Sequence, residues 1–353
     1  MGSLAEVVED CFGVLQLYSD GSVNRVNECD IDFGDHDKKG IHDIVEEGWL
    51  VEWEDFMFEE KHQLYLRVYK PSNKNISINN NKKLPILYYI HGGGFCLGSR
   101  TWPNCHNTCL RLSYQLQAIV IAPDYSRLAP EHKLPAAIED GLNALNWLQS
   151  QAKRIKEVRL GEEYYNDQNT CNKLLEDGVD FESVFIMGDS SGGNIAHHMA
   201  VRLGSGSLKL APVRVCGYVL LAPFFGGSLR TKSEADGPPE PILTLESLDR
   251  FWRLCLPRGE GRDHPVANPF GHSSPNLDMV SLDPILVIVG GKEIMKDRVE
   301  DYARRLKELG KDITYAKFEG QHHGFFTHNP CSHVSHQLLE LAKRFMFAKK
   351  PFC

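Results

Sequence analysis

No apolar run in the 353 residues approaches the roughly 20 needed to span a bilayer; the most apolar stretch, 218–225, is broken by Pro223. Excess positive charge is missing as well. The chain has 39 Lys and Arg against 47 Asp and Glu, a net charge of -8. That is the wrong sign for a surface that neutralises phosphates, so nucleic acid is not expected as a partner. There is no internal repeat at a period of about 20 to 50 residues, which excludes solenoids and propellers. The opening MGSLAEVVEDC carries Glu6, Glu9 and Asp10 where a signal peptide needs basic residues and an apolar core, and Glu6 breaks the myristoylation pattern, so neither export nor acylation is expected. The ten cysteines are scattered without paired spacing, as in a chain kept reduced, and the sequon Asn75-Ile76-Ser77 is then expected to be unused.

The composition present is that of a globular chain, 42% hydrophobic and 24% charged. Val-, Ile- and aromatic-rich runs predict strands at 51–58, 63–70, 84–90, 118–124, 184–188, 214–222, 284–290 and 313–319. The first two alternate polar and apolar, as an antiparallel edge pair does, whereas the later ones are nearly continuous apolar runs suited to a parallel sheet covered on both faces. Helical patterns fall between them at 107–116, 135–151, 193–203 and 297–309. This alternation predicts an α/β fold with one doubly wound sheet of about eight strands. Two segments stand outside it, residues 1–50 and 226–283, the second rich in Pro, Gly and charge but holding the amphipathic LESLDRFWRLCL. An insertion that long usually serves as a lid or binding cap.

The chemistry concentrates in a few strings. Gly188-Asp189-Ser190-Ser191-Gly192-Gly193-Asn194 follows an apolar strand and opens a helical stretch. A G-x-S-x-G between strand and helix is a nucleophile elbow, in which small flanking residues allow a sharp turn that presents Ser190 at the sheet edge. His91-Gly92-Gly93-Gly94-Phe95 follows the strand at 84–90. Its glycines let backbone N–H groups approach a ligand, so Gly92 and Gly93, with the N–H of Ser191, are expected to form an oxyanion hole. An activated serine needs a base and the base an orienting carboxylate. Glu293, three residues past the strand at 284–290, and the pair His322-His323, past the strand at 313–319, stand where the chain order requires them. Asp297 is a rival acid, one helical turn further on and placed to cap the next helix. His91 is expected to hold the oxyanion loop. Cys105-His106-x-x-Cys109 lacks a second Cys or His pair, and no metal or organic cofactor is implied.

With HGGGF at 91–95, GDSSGGN at 188–194, RLAPEHKLPAA at 127–137, PFFGG at 223–227, ANPFG at 267–271 and HGFF at 323–326, the chain resembles plant carboxylesterases of the hormone-sensitive-lipase group of α/β hydrolases. Its opening VVEDCFGVLQLYSDGSV resembles the subgroup linked to strigolactone-type butenolides. The resemblance implies that His323 rather than His322 is the base. It also implies a cap made of N-terminal helices, about 1–50, and the insertion at about 226–283, and a cytoplasmic or nuclear enzyme acting on a small hydrophobic ester or lactone. Phe95, Leu97, Phe224, Trp252 and Phe325 are expected to line the pocket. Two departures stand out. The family acid is most often Asp where this chain has Glu293, and Ser126 interrupts the usual Asp-Tyr-Arg run. Two other classes resemble this chain: gibberellin receptors, which keep the serine but not the histidine, and hydrolase-like cyclases, which lose a triad member. Retention of all three residues here favours hydrolysis.

Overall fold

The apolar runs fold into the middle of one sheet, with a hydrogen-bonded strand on either side. The computed structural model describes residues 5–26, 50–72, 83–125, 127–159, 173–238, 240 and 243–348. Its main sheet has eight strands: β4 (Val51–Glu59), β5 (Leu64–Pro71), β6 (Leu84–Ile90), β7 (Ile119–Pro123), β8 (Val179–Asp189), β9 (Val215–Leu221), β10 (Ile285–Gly290) and β11 (Ile313–Phe318). They lie in the order β11-β10-β9-β8-β6-β7-β5-β4. From β11 to β7 the neighbours are parallel, and β5 runs antiparallel to both β7 and β4. The expected polar edge pair and covered parallel centre are both present.

Alternation along each strand divides the core. In β6, Ile86, Tyr88 and Ile90 join one buried cluster, while Leu87 and Tyr89 join the other. The helices over the two faces are α1 (Pro103–Leu116), α2 (Ala136–Arg159), α3 (Ser191–Gly204), α4 (Leu245–Cys255), α5 (Lys296–Glu308) and α6 (His333–Ala348). Helices α2, α3 and α5 cover the first face through Leu145, Met199 and Tyr302, and α1 and α6 the second through Leu112 and Leu339. Because β6, β8, β10 and β11 are parallel, the loops leaving their carboxyl ends emerge on one edge. Those loops carry His91, Ser190, Glu293 and His323.

The N-terminal segment departs from expectation. Instead of helices, residues 7–25 form a three-stranded antiparallel meander, β1 (Val7–Cys11), β2 (Leu15–Tyr18) and β3 (Val23–Arg25). The physical reason is legible: two short runs rich in Val and Leu flank Phe12-Gly13, which turns with φ 59° and 71°, and the buried Cys11, Val14 and Leu15 give the hairpin an inner face. The meander is tied down by Glu9, which pairs with Arg250 and Arg253 of α4, and by Arg25, which donates to the Cys96 and Ala129 carbonyls and pairs with Glu131. The inserted residue Ser126, the sequon at Asn75 and residues 27–49 of the expected cap lie outside the described residues.

Candidate active site

The turn from β8 into α3 is set by steric necessity. Ser190 has φ 53° and ψ −118°, a conformation that ordinarily costs a non-glycine residue about 1–3 kcal/mol and persists only when its surroundings over-determine it. They do so here: the Ser190 N–H donates to Leu221 at 2.8 Å, and its carbonyl accepts from Phe224 at 2.8 Å. Gly192 lets the new helix pass under the end of β6, since a Cβ there would sit 2.0 Å from the Ile90 carbonyl oxygen. The result is a serine at the N-terminus of a helix whose dipole favours negative charge.

Beside it runs the loop from His91 to Leu97. Gly93 adopts φ 128°, open to glycine alone, and a Cβ there would meet the Leu97 carbonyl at 2.0 Å. Tyr125 braces this loop from below: its hydroxyl lies 2.8 Å from the His91 carbonyl, 3.0 Å from that of Gly92 and 3.2 Å from Ser191 Oγ. His91 stacks on Tyr125 at 4.3 Å between ring centroids, with Nδ1 2.7 Å from the Gly92 carbonyl. Gly92 packs closely on the elbow: a Cβ there would sit 2.5 Å from Asp189 Oδ2 and 3.1 Å from Ser190 Cβ. Of the three expected oxyanion donors, Gly92 and Gly93 lie on the cavity that Ser190 also lines, and Ser191 opens the helix directly after it. Burial raises the Asp189 carboxyl above the usual range, against the hydrogen bond from Tyr89 at 2.7 Å.

Across the cavity stands the histidine. His323 Nδ1 lies 3.2 Å from Glu293 Oε2, and Glu293 Oε1 accepts the Gly290 N–H at 2.8 Å. Glu293 is almost wholly buried, at 2% exposure. The rival Asp297 sits elsewhere, accepting the Ser233 N–H at 2.7 Å, and His322 Nδ1 is buried without a hydrogen-bond partner. Burial alone would push the His323 pKa down, but the Glu293 hydrogen bond and charge, helped by Glu240 and Asp189, outweigh it and raise the imidazole above its ordinary value.

Ser190 and His323 line one cavity of about 120 Å³. Of the five pocket residues expected from sequence, only Leu97 is on its wall. Phe95, Phe224 and Trp252 instead pack on one another beneath it, Phe224 and Trp252 stacked at 4.2 Å, because all three are needed to fill the core under α4. Phe325 leans against Phe318 and a smaller space behind His323 and Glu293. The apolar wall is Phe12, Trp102, Leu243 and Phe251, and the polar wall Ser99, Asn104, Thr327 and His328. Phe251 is one residue from Trp252 on a helix with apolar side chains on more than one flank, so sequence periodicity could not separate the two. Phe12 was hidden in a segment expected to be helical. Cys105 and Cys109 are buried in α1, and His106 Nδ1 lies 2.9 Å from the Tyr69 hydroxyl and 3.1 Å from Arg67.

The comparisons agree with this geometry. A family model described as alpha/beta hydrolase fold matches residues 87–327. The chain is 37% identical over 262 residues to a 3-O-acetylpapaveroxine carboxylesterase of Papaver somniferum, covering 73% of this chain and 79% of that one. It is 34% identical to gibberellin receptor GID1B of Arabidopsis thaliana, covering 76% of this chain and 68% of the receptor. Among solved structures, the thermostable carboxylesterase EstE1, cloned from a metagenomic library, superposes with a TM-score of 0.69 at 28% identity, covering 89% of this chain and 95% of that one. A strained serine at a strand-to-helix turn, a carboxylate-bound histidine on the same cavity and these relatives agree: the chain belongs to the alpha/beta hydrolase family, as a serine hydrolase of the carboxylesterase type.

Proposed function

We propose that the chain hydrolyses small hydrophobic carboxylic esters through Ser190, His323 and Glu293. His323 takes the hydroxyl proton as Ser190 attacks the carbonyl carbon, and Glu293 holds the imidazole by Nδ1 and stabilises the imidazolium that forms. The N–H groups of Gly92, Gly93 and Ser191 receive the oxygen of the tetrahedral intermediate. His323 then returns its proton to the leaving alcohol, and water repeats the cycle to release the acid. The observation that carries this reading is the His323–Glu293 contact on the cavity that also holds Ser190. The apolar wall of Phe12, Trp102, Leu243 and Phe251 favours a hydrophobic acyl or alcohol group.

Within that class, a butenolide lactone of the strigolactone type is the substrate to which the N-terminal resemblance points, and we read residues 1–50 and 226–283 as the cap over the site. We take the setting to be cytoplasmic or nuclear, in keeping with six buried free thiols among the described residues. Similarity to GID1B supports a second reading, a hormone-binding receptor. Release of nitrophenol from short and medium p-nitrophenyl esters separates the two. Turnover is expected in the wild type and lost in Ser190→Ala, whereas tight ligand binding without turnover would favour the receptor.

A further inference from the structure

One buried carboxylate near the site has no part in the mechanism above. Glu240, in the insertion that follows β9, is 8% exposed and accepts two backbone N–H groups: that of His323 at 2.9 Å on Oε2, and that of Ile294 on Oε1. These belong to different loops. Ile294 follows Glu293 directly, so a single side chain bridges the loop after β10 and the loop after β11. The same stretch of the insertion grips the first loop again, Ser233 Oγ donating to the Ile294 carbonyl at 2.7 Å and Glu234 pairing with Arg298 at 2.5 Å. The two loops also touch directly, through Lys292 N–H to the Gln321 carbonyl at 2.9 Å. Both backbone polar groups of Ile294 are therefore held by the insertion.

We propose that Glu240 is a positioning residue that fixes the separation of His323 and Glu293 and adds a second negative charge behind the imidazole. This rests on the hydrolase reading. A carboxylate accepting two N–H groups forms charge-assisted bonds that resist displacement, and base and acid must keep their spacing while a proton moves. The charged groups acting on His323 are Glu293, Glu240 and Asp189, all negative, so the charge of Glu240 favours the imidazolium that forms as Ser190 attacks. Burial in turn raises the Glu240 carboxyl, partly offset by the His323 charge and the two N–H bonds. The cap and the catalytic dyad are thereby one mechanical unit.

The test is Glu240→Gln, assayed beside wild type and Ser233→Ala for the pH profile of kcat/KM on a p-nitrophenyl ester. In E240Q the amide presents an NH2 to one backbone N–H and carries no charge, so kcat is expected to fall about tenfold with KM little changed. The acid limb of kcat/KM should move down by about half a pH unit. S233A keeps the charge, and its limb should stay in place. A folded E240Q with wild-type kcat and an unmoved limb would overturn the inference, whereas an inactive wild type would overturn the hydrolase reading beneath it. Should E240Q not fold, Glu240→Asp retains the charge but withdraws it; a lowered kcat with a smaller limb shift is then expected, and wild-type behaviour in both would overturn the proposal.

Discussion

At the scale of single residues, activity turns on which groups hold which protons. His323 must be neutral to accept a proton, and its pKa is raised by Glu293 first among its partners. Activity is therefore expected to fall as pH drops, along an acid limb above the usual imidazole value of about 6.5. Glu293→Gln removes the charge and the acceptor together. It should lower kcat about 10²- to 10⁴-fold and shift that limb downward in a pH–rate profile. That Ser190 and His323 share a cavity, with His323 against Glu293, was legible in sequence because the strings that carry them stand in a fixed chain order at the ends of readable strands. Glu240 was not, since its partners are backbone groups 54 and 83 positions away, and no periodicity marks such a contact.

At the scale of elements, the parallel core was readable because period and β-branched content agree with burial on both faces. The pocket was not, because its walls come from segments whose direction is set by tertiary contacts. Trp252 and Phe251 differ by one helical step, and packing sent Trp252 against Phe224 and Phe251 to the cavity. The N-terminal hairpin adds Phe12, 42% exposed, at 6.3 Å from Phe251. Phe12→Ala should raise KM for a medium-chain ester about three- to tenfold, at about 1 kcal/mol of lost apolar contact, with kcat nearly unchanged in steady-state assays. Gly192→Ala tests the elbow differently. Its Cβ would force α3 away from the end of β6, so a loss of about 1–3 kcal/mol is expected in urea denaturation, together with most of the activity.

At the scale of the whole molecule, four loops from one sheet edge and two peripheral segments form a single site. The sheet supplies rigidity, so Ser190 can hold a strained backbone. The insertion grips the acid loop, and the N-terminal meander rests on that insertion through Glu9, Arg250 and Arg253. These last pairs are partly exposed and screened by salt. High salt is therefore expected to loosen the meander and raise KM before it affects kcat, as read from initial rates across a salt series. The central claim, that Ser190 is an activated nucleophile, is tested most directly by reacting the native protein with a fluorophosphonate and mapping the modified peptide by mass spectrometry. The account predicts one label per chain on Ser190, greatly slowed in Glu293→Gln and absent in Ser190→Ala; a wild-type protein that remains unlabelled, or is labelled at another serine, would contradict it.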